Sequence, residues 1–421
     1  MSSAVSPFEP WRIGPITLRN RFIKAAANEA MTVDGAPSRA LVEHHRALAA
    51  GGVGMTTAAY FAVAPEGRSL ANQTWLRPTI LADLRALTDA VHAEGAAIAA
   101  QITHGGSFVT GFRLGQRAIS ASGGLNKAGL LAGNYWQRPM NEADMARVVG
   151  QFVAGALLCR EAGFDAVEVH MGHGYLLNQF ISPLSNKRRD AFGGDATARM
   201  RFPIMVLARV KEAVGKEMAV TAKINVADGV AGGATVEDAI VTARMLEQAG
   251  ADLLVLSSGR NMESVWYMFG SPMNMKAMRA ALGNSALQRF FLLLASLGVP
   301  KDLHFQDVYR LNESRRIRAA VKMPLAYLGG AVSLDNVHAL LREGFDGVAM
   351  ARALLHDPAL VTKFRDGSVA RSGCTHCNAC VFSIYGADGT YCVENGPNDP
   401  ALNLMRAGRE GQGSALDPLG P

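Results

Sequence analysis

The chain has 421 residues, 49% of them apolar, and a net charge of +6. That length and apolar content suit one large domain with extensions and a sizeable core. There is no Lys/Arg block with interleaved aromatics, no secretory start in MSSAVSPFEPW, and no apolar run longer than Phe290 to Leu297, whereas a bilayer span needs about 20 residues; nucleic-acid and membrane partners are therefore set aside. The modest positive excess suits an anionic cofactor, the expected location is cytoplasmic, and a homo-oligomer is left open.

In chain order, eight short apolar runs read as strands: Arg21–Ala26, Val53–Ala58, Ala97–Gln101, Ala166–His170, Ala219–Asn225, Leu253–Ser257, Leu325–Leu328 and Gly347–Met350. Each is followed, directly or after an insertion, by a helical pattern, of which Glu142–Glu161 and Val236–Gln248 are the clearest. Gly163 and Gly250 fit helix ends that feed the next strand. Eight such units, with no GxGxxG after the first strand, predict an α/β fold of the closed (β/α)8 TIM-barrel type rather than an open doubly wound sheet. The barrel is expected over residues 1–366, with loop insertions at His104–Met140 and Gly259–Leu303. A short cysteine-containing extension is expected over 367–421, frayed after Asn403.

The chemistry concentrates in Val167-Glu-Val-His-Met-Gly-His-Gly-Tyr175. His170 ends the fourth strand, and His173 and Tyr175 follow in the loop, on the face where barrels carry their active sites. Two close imidazoles can donate to one oxygen, and a phenol beside them can deliver a proton. A pair of buried, satisfied histidines is the bland alternative. A zinc pair is a third, although no acidic ligand stands nearby.

The run HMGHGYLLNQFISPLSNKRRDAFGGDATARMRF resembles the signature of the Old Yellow Enzyme family of FMN-dependent ene-reductases. The likeness extends to NRFIKAAA, GGVGMTTAAYFAVAPEGR, AAQITH, PLAYLGG and GVAMARALLHDP, spanning residues 7–366. It implies that His170 and His173 bind a substrate carbonyl oxygen and that Tyr175 donates the proton. It places Ala25, Ala26, Ala27, Asn28, Tyr60 and Gln101 around the flavin ring. Lys223 would sit near the ring's N1 and O2 edge, where many members have Arg. Gly329, Gly330, Ala351 and Arg352 would hold the FMN phosphate. Asn28 stands where the family often has Thr or Cys, and Ala351 where it usually has Gly. NADH or NADPH would be the reductant, and an α,β-unsaturated carbonyl the small-molecule partner. Amine dehydrogenases or demethylases share the fold but tend to carry tyrosine in place of the first histidine, so His170 argues against them. A flavin-binding protein without turnover is the remaining alternative.

Four of the five cysteines cluster as Cys374-x-x-Cys377-x-x-Cys380 with Cys392 beyond. The cluster resembles the iron–sulfur motif of larger relatives such as dienoyl-CoA reductases. The spacing alone admits structural zinc, an iron–sulfur cluster or free thiols. Cys159 lies in an apolar helical pattern and reads as core.

Overall fold

The computed structural model describes residues 5–70, 73–109, 118–127, 129, 134–282, 300, 302–386, 388–399, 403 and 406. Eight parallel strands close into a barrel, in the order in which the sequence presents them. They run Phe22–Lys24, Met55–Ala62, Ala97–Thr103, Ala166–Met171, Ala219–Asn225, Leu253–Ser257, Leu325–Tyr327 and Gly347–Met350. The first and last pair directly, Ala349 opposite Ile23. Neither end of the sheet is left as an open edge, which is what the eightfold strand–helix alternation requires.

Helices Glu142–Glu161 and Val236–Gln248 form where the pattern places them. Each starts with a capping box, Asn141 with Asp144 and Thr235 with Asp238, satisfying amides that would otherwise lack partners. Gly163 then turns the chain at φ +91° and Gly250 at φ +79°, sending it into the fourth and sixth strands.

The strands bury both faces. Outward residues such as Val167, Val169, Val220 and Leu254 pack with the helices in the main core. Inside the barrel's lower half, small side chains (Ala99, Ala166, Ala219, Ala326, Ala349) meet Ile23, Met55 and Leu253. A hairpin of Trp11–Ile13 with Ile16–Leu18 belongs to the same cluster and plugs that end. The upper interior is polar, holding buried Gln101, Glu168, Lys223, His170, Asn225 and Ser257. Polar side chains confined to the C-terminal mouth of an otherwise apolar barrel mark that mouth as the working end.

The first insertion carries a three-stranded sheet of Ala118–Ser120, Gly124–Leu125 and Trp136–Pro139. The second carries helices Val265–Phe269 and Met275–Leu282; residues 283–299 fall outside the described set. Most of the tail after Asn403 also lies outside it. No helix among the described residues is long and apolar enough to cross a membrane.

Candidate active site

The fourth strand delivers His170 to the barrel mouth, and the loop beyond it folds back on itself. A Cβ at Gly172 would stand 2.7 Å from the Asn225 side-chain oxygen, so a larger residue there would push that amide out of place. His173 follows at φ +59°, an unusual conformation for a non-glycine residue. Its N–H donates to Asn225 Oδ1 at 3.1 Å. Asn225 is fixed in turn by donating to Asp228 Oδ1 at 2.9 Å and to the Gly259 carbonyl at 2.8 Å. The next strands over thus hold the loop in shape from below.

This turn brings the three side chains together. The His170 and His173 rings lie 5.0 Å apart and nearly perpendicular, and the Tyr175 ring is 4.8 Å from His170. Gly172 N–H reaches His170 Nδ1 at 3.4 Å, so Nδ1 accepts and Nε2 carries the proton. Ser257, at the end of the sixth strand, lies 2.7 Å from His173 Nε2 and orients that ring. Burial pushes the His173 pKa down to about 3 and His170 well below its ordinary value, with the neighbouring Lys223 charge acting the same way. Both rings are neutral at physiological pH, able to donate a hydrogen bond without carrying a charge. Burial and the neighbouring Tyr60 raise Tyr175 well above a free phenol, so it keeps its proton. The Tyr60 ring is 5.1 Å from Tyr175, and its hydroxyl is 2.8 Å from Ser69 Oγ. Phe108 closes the other side, 5.5 Å from Tyr175 and edge-on.

Beneath them lies a buried charge pair. Lys223 Nζ sits 3.0 Å from Glu168 Oε1 and donates to the Ala26 carbonyl at 3.2 Å. The Gln101 amide donates to the same Glu168 oxygen at 2.7 Å. Lys223 is completely buried and its pKa is lowered by desolvation, with Glu168 opposing the shift. Glu168 carries no mark of this role in the sequence, because a lone carboxylate inside AVEVH reads like any outward-facing position. Asn28 uses its Oδ1 to accept from Ala30 N–H at 3.1 Å and points its amide at the Tyr60 hydroxyl, 3.4 Å away. Ala25 is anchored by donating to the Met350 carbonyl at 2.8 Å, which leaves Ala26 and Ala27 between these two fixed points.

The seventh and eighth strands supply a second polar patch. Among the described residues, neither Gly329 nor Gly330 N–H donates to a backbone carbonyl. Gly330 turns at φ +81°, and a Cβ there would strike the Tyr309 ring at 2.7 Å. Ala351 precedes the short helix Arg352–His356. The Arg352 guanidinium donates to the Phe269 carbonyl at 2.7 Å, to Ser271 Oγ at 3.2 Å and to Asn378 Oδ1. All three acceptors are neutral, so the cation retains its charge for an anion. Glycine amides with no backbone acceptor among the described residues, beside such an arginine, are the kind of donor set a phosphate requires.

Cys374, Cys377, Cys380 and Cys392 line one pocket together with Arg352, His356 and Glu394. Burial raises three of these thiols, Cys380 to about 12, which keeps them protonated. Among the described residues, no group of three or more His, Cys, Asp or Glu side chains is arranged to hold a metal ion. The expectation of zinc or an iron–sulfur cluster therefore finds no support in the side-chain geometry. Cys159 is buried in the main core, as its helical pattern implies.

Buried neutral histidines also set an acid limit on stability. Desolvation lowers His44 to about 3, His104 to about 4 and His173 to about 3, from an ordinary 6.5. The unfolded chain binds these protons first, so their contribution is complete above pH 6.5 and is lost as pH falls towards the folded values. Each group costs roughly 1.4 kcal/mol per pH unit in that window. The melting temperature is expected to drop steeply between about pH 6.5 and pH 5; a flat profile there would contradict the neutral, buried assignment.

The fold, the His–His–Tyr group and the polar mouth define a barrel oxidoreductase. The chain belongs to the NADH:flavin oxidoreductase / NADH oxidase family, whose pattern matches residues 6–280. It is an NAD(P)H:flavin oxidoreductase, and the Old Yellow Enzyme resemblance read from its motifs holds. A 4,4'-dithiodibutanoate disulfide reductase of Rhodococcus erythropolis is 39% identical over 417 residues, covering 98% of this chain and all of that protein. A metal reductase of Desulforamulus reducens is 29% identical over 92% of this chain, which spans only 53% of its length. Among solved structures, a 2-naphthoyl-CoA reductase in complex with 2-naphthoyl-CoA shares the fold, with TM-score 0.77 at 23% identity, covering 95% of this chain and 58% of that one.

Proposed function

We propose that this protein binds FMN at the barrel mouth and reduces the C=C bond of α,β-unsaturated carbonyl compounds at the expense of NAD(P)H. The observation that carries the reading is the convergence of two neutral imidazoles and a protonated phenol at 4.8 to 5.0 Å ring separations. Bound flavin would supply the hydride. Gly329, Gly330 and Arg352 would hold its phosphate, with Ala351 beside them. Lys223, Gln101 and the Ala25–Asn28 loop would surround its ring, with Tyr60 on the rim.

The remaining work falls to this chain's own groups. His170 Nε2–H and a proton on the His173 ring hold the substrate oxygen and stabilise the negative charge that grows there as the double bond is reduced. Because neither imidazole is charged, they bind that oxygen without surrendering a proton. Tyr175 then protonates the α-carbon. Phe108 and Tyr60 limit water around the reacting bond.

A second reading is favoured by one observation, the full-length similarity to a disulfide reductase. In it the acceptor is an organic disulfide, two electrons cleave the S–S bond, and Tyr175 protonates a departing thiolate. A single comparison separates the two: NADH and NADPH consumption with a cyclic enone against 4,4'-dithiodibutanoate. The leading reading expects turnover of the enone that His170→Ala slows by about 10²–10³-fold. Turnover of the disulfide with no enone reduction would replace it with the second.

A further inference from the structure

The C-terminal extension touches both ends of the polar mouth, a contact that neither the motifs nor the family assignment explains. At one end, Thr390 N–H donates to the Glu29 carbonyl at 2.8 Å and Thr390 Oγ1 to the Asn28 carbonyl at 2.7 Å. At the other, Asn378 reaches Arg352 from between Cys377 and Cys380. Asn378 is 1% exposed and sits at φ +57°, a left-handed conformation that Asn tolerates better than most residues. Its Oδ1 accepts from Arg352 Nη1. Its Nδ2 donates to Ser271 Oγ at 2.9 Å and to the Pro272 carbonyl at 2.8 Å. Ser271 Oγ itself accepts from Arg352. One amide therefore ties together the helix after the eighth strand, the loop after the sixth and the cysteine loop, and each tie bears on the direction of a single guanidinium.

We propose that Asn378 is a positioning residue for the cofactor's phosphate: it aims Arg352, and through it the cysteine loop governs how tightly FMN is held. The inference rests on the flavin-site reading above. Its physical content is pre-organisation. An arginine side chain loses rotamer freedom when it is ordered, and a neutral partner that orders it beforehand leaves its charge intact for the anion. An aspartate at the same place would hold the guanidinium equally well but neutralise it. The choice of an amide over a carboxylate is what an anion site demands.

The test compares FMN with riboflavin, which has the ring but no phosphate, by fluorescence titration of the full-length apoprotein. Asn378→Gly keeps the left-handed backbone accessible while deleting the amide. It is expected to weaken FMN binding about tenfold, the scale of one hydrogen bond to a charged group, and to leave riboflavin affinity unchanged. Asn378→Asp is expected to weaken FMN as well, again without touching riboflavin. On an Arg352→Ala background, Asn378→Gly should add nothing. An equal loss of FMN and riboflavin affinity would mean a merely structural role and overturn the proposal, as would unaltered FMN affinity in both variants. Wild-type protein that binds neither flavin would remove the flavin site itself, a failure distinguishable from the others.

Discussion

Tyr175→Phe is expected to lower the rate of NAD(P)H-dependent substrate reduction by about 10²–10⁴-fold, the usual contribution of a positioned general acid. The variant keeps the ring that packs 4.8 Å from His170 and 5.1 Å from Tyr60, so the pocket should hold its shape. FMN affinity and the rate of flavin reduction by NAD(P)H should stay near wild type, because neither needs the phenol. The split between these quantities is the informative result. Single-turnover measurement of each half of the reaction checks it. Equal slowing of both halves would mean that Tyr175 supports the pocket rather than protonating the substrate. An unchanged oxidative half would mean that the proton comes from elsewhere. The buried hydroxyl, held protonated far above neutral pH, also predicts no loss of its donor function across the neutral range.

The second large effect is on stability. Lys223 and Glu168 are both buried, 3.0 Å apart, with Gln101 completing the group. Lys223→Met leaves Glu168 without its counter-ion inside the barrel. Breaking a buried pair from one side typically costs about 3–5 kcal/mol. That loss should appear as a shift in the denaturant midpoint of the apoprotein. The double variant Lys223→Met/Glu168→Gln removes both charges and should recover most of the loss, because an uncharged amide facing Gln101 is far cheaper to bury. If the single and double variants are equally destabilised, packing around the lysine chain matters more than its charge. A loss below about 1 kcal/mol would mean that water enters the barrel mouth and screens the pair.

The barrel was legible because its signals are local and repeated. All eight strands form where apolar runs stand, and six keep their expected start. The second strand runs on to Ala62, past the expected end at Ala58, through a register irregularity between Ala58 and Phe61. An unbroken apolar run such as Ala-Ala-Tyr-Phe-Ala carries no mark of where pairing changes. The clustering of His170, His173 and Tyr175 was legible because they are within a few residues of each other and follow a strand. What escaped was long-range. Ser257 meets His173 across 84 positions, and Asn378 meets Arg352 across 26. Neither pair leaves any periodicity or spacing in the chain. Glu168 escaped for a different reason: alternation along a strand says which residues share a face, but not that the inner face turns polar near the mouth. The cysteine spacing was visible and its partners were not, since ligand geometry depends on side-chain directions that spacing leaves open.

In the proposed reaction His170 and His173 hold the substrate oxygen as neutral donors. The most direct measurement is the rate at which a cyclic enone reoxidises the NAD(P)H-reduced holoenzyme, in wild type and in His170→Ala and His173→Ala, each checked for full FMN occupancy. A fall of about 10²–10³-fold is expected in each variant, with flavin reduction unaffected. Wild-type rates in both variants, at full occupancy, would contradict it.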